Sequence, residues 1–176
     1  MVTSKCTLIL LLVLKTPTLM RIFLSYRFDP AYTPQFNDVF LYAQILYRDQ
    51  MYKAAAPLFE LSLTKLKDDK SQDTMRRVAT DQAGIAYGIS GNTAKARSIF
   101  ESAISKDPDY PMYYYNLACA DAQEKNLSDA RLHLGQAFQR KANMLPGESL
   151  PDPSKDDSFL PYRNDKEFWK FVESLH

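Results

Sequence analysis

Small and large apolar residues recur in one fixed order through residues 36–142. Tyr42, Ala43 and Leu46 are followed by Tyr52, Ala55 and Phe59; Ala83, Gly84 and Tyr87 are followed by Gly91, Ala96, Phe100 and Ala103; Tyr114, Leu117 and Ala118 are followed by Ala130, Leu134 and Ala137. Spacings of three and four within each group predict amphipathic helices that come in pairs. Ala96 and Ala130 stand 34 residues apart, whereas Ala55 precedes Ala96 by 41. The excess falls in the polar stretch 65–73, which reads as a longer second helix plus a loop. Small residues at these positions let two helices approach closely, and the aromatic and leucine side chains fill the space between one pair and the next. No pair could bury its apolar face alone, so about three must stack and the last must be covered.

The order and period resemble the tetratricopeptide repeat, W-x2-L-G-x2-Y, then A-x3-F, then P. Residues 77–108 meet the pattern with Ala83-Gly84-x2-Tyr87, Gly91, Ala96-x3-Phe100, Ala103 and Pro108, with Thr80 in the tryptophan slot. The following unit carries Asp121 where tyrosine is usual and Lys125 where the inter-helix glycine is usual. The resemblance implies an all-α, right-handed α-solenoid of about three helix-turn-helix repeats with a C-terminal capping helix. It also implies a concave groove lined by the first helix of each repeat. Counting from the aligned slots places Asn37, Phe40, Gln44, Tyr47 and Arg48 there, then Val78, Asp81, Ile85 and Ile89, then Met112, Tyr115, Asn116, Cys119 and Gln123. Of these, Phe40, Gln44, Tyr47, Val78, Ile85, Ile89, Met112, Tyr115 and Asn116 are the candidate partner-binding residues. Only Arg48 and Asn116 could serve in the carboxylate clamp with which some members grip chaperone C-termini, so that clamp is not expected. An apolar groove invites an occupant, either a partner helix or residues from the chain's own segment 8–24.

Both flanks differ in kind from the repeats. Residues 1–24 hold one early lysine, the nine-residue apolar run Cys6 to Leu14, and a second apolar stretch, Leu19 to Leu24. The first run has the length of a signal-peptide core and is too short to span a bilayer, but no small-x-small cleavage site follows it. A signal or anchor segment, and hence export or tethering, is expected ahead of a soluble packing helix or an upstream artefact of the start codon. Residues 25–35 read as a linker. Residues 143–163 carry Pro146, Gly147, Pro151, Pro153 and Pro161 and read as a loop. In 164–176, Asn164 and Glu167 have capping-box spacing and Phe168, Phe171, Val172 and Leu175 share a helical stripe, which predicts a short capping helix over the last repeat.

Composition narrows the function. Lys+Arg 22 against Asp+Glu 21 gives a net charge of +1, which offers a polyanion little, so nucleic acid is not an expected partner. The pairs Arg76-Arg77 and Arg140-Lys141 read as solvated helix faces. With two histidines, His133 and His176, and two cysteines, Cys6 and Cys119, no nucleophile has an evident base. His133 reads as an ordinary surface residue and Cys119 as a small core residue. No phosphate loop, HExxH, CxxC or GxSxG occurs, and no cofactor or metal is expected. Asn126-Leu127-Ser128 matches a glycosylation acceptor but sits where Asn and Ser favour a turn. The expectation is a non-enzymatic scaffold that holds a protein or peptide partner. The alternative is an assembly subunit whose N-terminal apolar segment packs into its own or a neighbour's groove.

Overall fold

Gln35 and Asp38 bond reciprocally across the first turn of α1 (Phe36–Arg48), a capping box that starts the described chain. The computed structural model describes residues 33–175. α1 is followed by α2 (Tyr52–Leu63), α3 (Asp73–Ile89), α4 (Thr93–Lys106), α5 (Pro111–Gln123), α6 (Leu127–Gln139) and α7 (Lys166–Glu173). The protein is all-α, with no strand among the described residues. None of these helices is long and apolar enough to cross a membrane. The expectations for residues 1–24, and for most of the linker, lie outside the described residues.

Three turns of the same construction join α1 to α2, α3 to α4 and α5 to α6. In each, one residue takes the left-handed conformation: Gln50 at φ 59°, Gly91 at 87° and Lys125 at 63°. In each, its N–H bonds three residues back (to Tyr47, Gly88 and Ala122) and the next N–H bonds five back (to Leu46, Tyr87 and Asp121). This is a Schellman closure, which satisfies the last carbonyls of the first helix and turns the chain back on itself. Asn92 and Asn126 then cap α4 and α6 by accepting from Lys95 N and Asp129 N. Gly91 adopts its φ without strain, whereas Lys125 carries a Cβ in a region that disfavours it. Lys125→Gly is therefore expected to stabilise the protein by about 0.5–1 kcal/mol, net of the extra entropy glycine loses on folding. A thermal melt reads this directly, and an unchanged or lowered midpoint would show that the Lys125 side chain supplies an offsetting contact.

The residues that carry the periodicity are the ones that pack. Ala55, Ala96 and Ala130 are 0%, 4% and 0% exposed, and Phe59, Phe100 and Leu134 are 0%, 2% and 0% exposed. A Cβ added at Gly84 would stand 2.2 Å from Phe100 Cζ, so the glycine is what lets α4 approach α3. Helices contact their neighbours in sequence, and α3 also touches α5. Apolar burial falls into three successive clusters rather than one centre. The first joins α1, α2 and α3 around Ala43, Phe59 and Ala83. The second gathers Phe100, Tyr113 and Leu117, and the third joins α5 and α6 to Phe159, Phe168 and Val172. Tyr87 packs against both of the first two clusters, and its hydroxyl donates to Glu60 of α2, which also pairs with Lys95 of α4 at 2.7 Å.

Several local expectations are corrected. The excess residues between the first two hairpins do not lengthen α2, which ends at Leu63. They form a loop that satisfies itself: Lys67 N donates to Gln72, Arg76 donates to Lys67 O, and Asp69 accepts from Ser71 N. α7 is capped by Asp165, not Asn164, because the Asp165 carboxylate accepts from Phe168 N at 2.9 Å. Arg77 is not a solvated charge: it makes two bonds to Asp107, at 2.7 and 2.9 Å, over the Tyr110 ring, and so ties α3 to the turn before α5. Arg140 likewise lies over Tyr114 and donates to Pro108 O at 2.9 Å.

Candidate functional site

The sequence expects the binding residues on one face of α1, α3 and α5, and the structure treats the parts of that expected face unequally. Over α5 it is covered by the chain itself. After α6 the backbone passes the turn before α5, where Asn143 donates to Asp109 O. Residues 144–159, here called the strap, then run along α5 from its first turn to its last. Leu145 sinks into the second cluster beside Tyr110, Tyr113 and Leu117. Glu148 accepts from the Tyr110 hydroxyl at 2.9 Å, Asp156 accepts from the Tyr115 hydroxyl at 3.1 Å, and Gln123 donates to Ser158 at 3.4 Å. Phe159 closes the run, wholly buried between Tyr115 and Phe168 with ring centres 6.2 and 5.7 Å away. Prolines suit this path because it is built of isolated turns and one short 3-10 helix, Pro153–Lys155, with no α-helical ladder for a missing N–H to break.

The consequences for the candidate residues follow from this cover. Tyr115 is 1% exposed and cannot meet a partner, since the strap took the place expected for an external helix or for residues 8–24. Met112, Val78 and Ile85 are half-buried against the cluster that includes Leu145. Asn116 donates to Asp81. On α1, Phe40 stacks on Phe36 and meets the edge of Phe59, while Tyr47 meets the edges of Tyr52 and Phe59. Phe40 and Tyr47 are thus half-spent on packing their own hairpin. Gln44 is half-buried, and Ile89, at 55% exposed, is the openest of the set. Beside it, Met51 is 39% exposed and an open hollow of about 360 Å³ is lined by Gln50 to Ala54 and Ser90.

The sequence places Asp81 on this face without counting it among the candidate residues, and it misses the acids that the strap brings there. Asp81 lies at its centre, largely buried; removal from water, then the nearby Glu148, push its carboxyl up to about 7, against the pull of the Asn116 hydrogen bond. Glu148 and Asp156 reach the face from a segment read only as a loop. The available signal was the apolar content of that loop, Leu145, Leu150 and Phe159, which a free linker would not carry. Burial, then Asp156 at 3.7 Å, push the Cys119 thiol far above its ordinary range, so it is a poor nucleophile.

On the far side of α5, Asp121 is wholly buried and holds two partners: Arg97 of α4 at 2.6 Å and His133 Nδ1 of α6 at 2.6 Å. Arg97 also pairs with Glu124 at 2.7 Å. His133 is therefore not an ordinary surface residue but the α6 end of a hydrogen-bonded bridge through Asp121. The aspartate in the slot where the repeat resemblance expects tyrosine was the signal for it. No group of three His, Cys, Asp or Glu among the described residues could hold a metal ion. Compared with protein-family models, with curated proteins and with solved structures, the chain matches none.

Proposed function

We propose that this protein is a tetratricopeptide-type scaffold, a short α-solenoid capped by α7, that binds a protein or peptide partner and is not an enzyme. The observation that carries the reading is the threefold recurrence of one hairpin. The turn residues Gln50, Gly91 and Lys125 share a backbone closure at the same 41- and 34-residue intervals as the buried alanines 55, 96 and 130. A stack of such hairpins presents one face of first helices, and α7 with the strap supplies the cover that a terminal repeat needs.

Because the strap occupies the α5 part of that face, the partner's share is the part formed by α1 and α3. Gln44, Tyr47, Ile85 and Ile89 line it, with Met51 and its hollow at the edge. An exposed isoleucine next to half-buried aromatics suits an apolar side chain of a docked helix or extended segment. Ile89→Asp tests this, because a substitution at a 55% exposed site should leave stability within about 0.5 kcal/mol. Buried at the centre of an interface, the same charge should weaken association by about tenfold or more. The measurement is a comparison of crosslinked neighbours in the native cell, wild type against variant. An unchanged set of neighbours would move the binding surface away from this face.

A further inference from the structure

The strap is an example of a non-helical segment laid along a first helix. On α5, Tyr115, Cys119 and Gln123 stand a turn apart on one stripe, and all three donate to the strap. The Tyr115 hydroxyl and the Cys119 thiol donate to Asp156, at 3.1 and 3.7 Å, and the Gln123 amide donates to Ser158 at 3.4 Å. The helix supplies donors and the segment supplies acceptors. The interval that separates Ala96 from Ala130, and Gly91 from Lys125, carries this stripe back to Asp81, Ile85 and Ile89 on α3.

There the chemistry is reversed. The Asp81 carboxylate offers acceptors; among the described residues its one hydrogen-bond donor is the Asn116 amide, and it belongs to no ion pair. It lies deep in the face but is not sealed from solvent. A charge drawn out of water without a counter-ion is where an incoming cation gains most. The strap along this border adds the same sign. Leu145 seats it in one cluster with Val78 and Ile85 of α3, and beyond that point it carries Glu148, Asp152, Asp156 and Asp157 against one lysine, Lys155. Farther along α3 the face turns apolar. Ile85 is half-buried, Ile89 is 55% exposed, and the hollow of about 360 Å³ lined by Gln50 to Ala54 and Ser90 opens beside it.

We propose, on the reading that this face binds a partner, that the docked segment is basic and apolar in turn. It sets a lysine or arginine against Asp81 and a large apolar side chain against Ile85 and Ile89, and it lies along α3 as the strap lies along α5. From Asp81 to Ile89 the helix rises roughly 12 Å, which an extended chain covers in about four residues. The basic and apolar positions therefore stand about two to four residues apart.

The test selects phage-displayed random peptides on the full chain and keeps those that Ile89→Asp no longer binds. Lysine or arginine is expected to be enriched among them, about two to four residues from a Leu, Ile, Phe or Met. Synthetic copies are expected to bind Asp81→Asn about tenfold or more weakly than wild type. The same loss is expected on the wild-type chain when norleucine replaces the peptide's basic residue, an arm that stands even if Asp81→Asn does not fold. Peptides that depend on Ile89 yet show no basic residue, or bind unchanged with norleucine, overturn the proposal and leave the partner-binding face standing. Equal binding to wild type and to a folded Asp81→Asn does the same. A selection in which Ile89→Asp loses no binder overturns the face and the proposal together.

Discussion

Replacing Phe159 with alanine is expected to destabilise the protein by about 3–5 kcal/mol, the range for emptying an aromatic site in a packed interior. The ring is 0% exposed, and it joins the strap both to α5, through Tyr115, and to α7, through Phe168. Phe168 is itself wholly buried and meets the edge of Trp169 at 5.3 Å, so a cavity at 159 would loosen the seat of α7 as well. Against a total stability of about 5–15 kcal/mol this is a large fraction. Denaturant unfolding measures it, and the control is Leu132→Ala, whose 56% exposure should leave the midpoint within about 0.5 kcal/mol of wild type. Equal midpoints for the two variants would mean that the strap and α7 are not part of the folded core.

The second large effect belongs to Asp121. Burial opposes its charge, but the hydrogen bonds from His133 and Arg97 outweigh that and hold its carboxyl below the usual value. Asp121→Ala removes two charged hydrogen bonds and leaves Arg97 and His133 facing a dry space, though Arg97 keeps Glu124. A loss of about 2–4 kcal/mol is expected, set by the unpaired groups more than by the lost pair itself. A depressed carboxyl contributes stability that is present above about pH 4 and is lost as pH falls through the depressed value. The variant should therefore show a shallower acid limb in a plot of stability against pH, while its behaviour above neutrality parallels wild type. An identical acid limb would mean that Asp121 gains nothing from the bridge.

The two variants act on opposite sides of α5, and that helix is the pivot of the molecule. Its first turn is set by Pro111, and nine of its thirteen residues are buried, three tyrosines in succession among them. One of these, Tyr113, packs back toward Phe100; the next, Tyr114, lies under Arg140; and Tyr115 lies under the strap. A helix buried nearly all round shows no single apolar stripe, so its sequence alone does not tell which side is left for a partner.

What the sequence by itself determined is the local layer. Helical spacing and small residues at 55, 96 and 130 specified the hairpins, because close helix approach requires a small side chain at the point of contact and a large one beside it. Gly91 and the asparagines that follow the turns marked where helices end and begin. The all-helical class and the helical stripe of Phe168 and Val172 were legible for the same reason, since periodicity is a property of neighbours in the chain. Only the tertiary structure decided what covers α5, and with it the fate of Tyr115. A proline-rich stretch reports that it is not helical but not where it lies. Its course depends on partners 35 to 45 residues away in sequence, such as Tyr110 for Glu148 and Tyr115 for Asp156. The same holds for Arg77, His133 and Asp81. A charged side chain on a helix reads as solvated until a partner from another helix removes it from water, and the pairing that decides this is written at both ends of a long separation rather than in any local pattern.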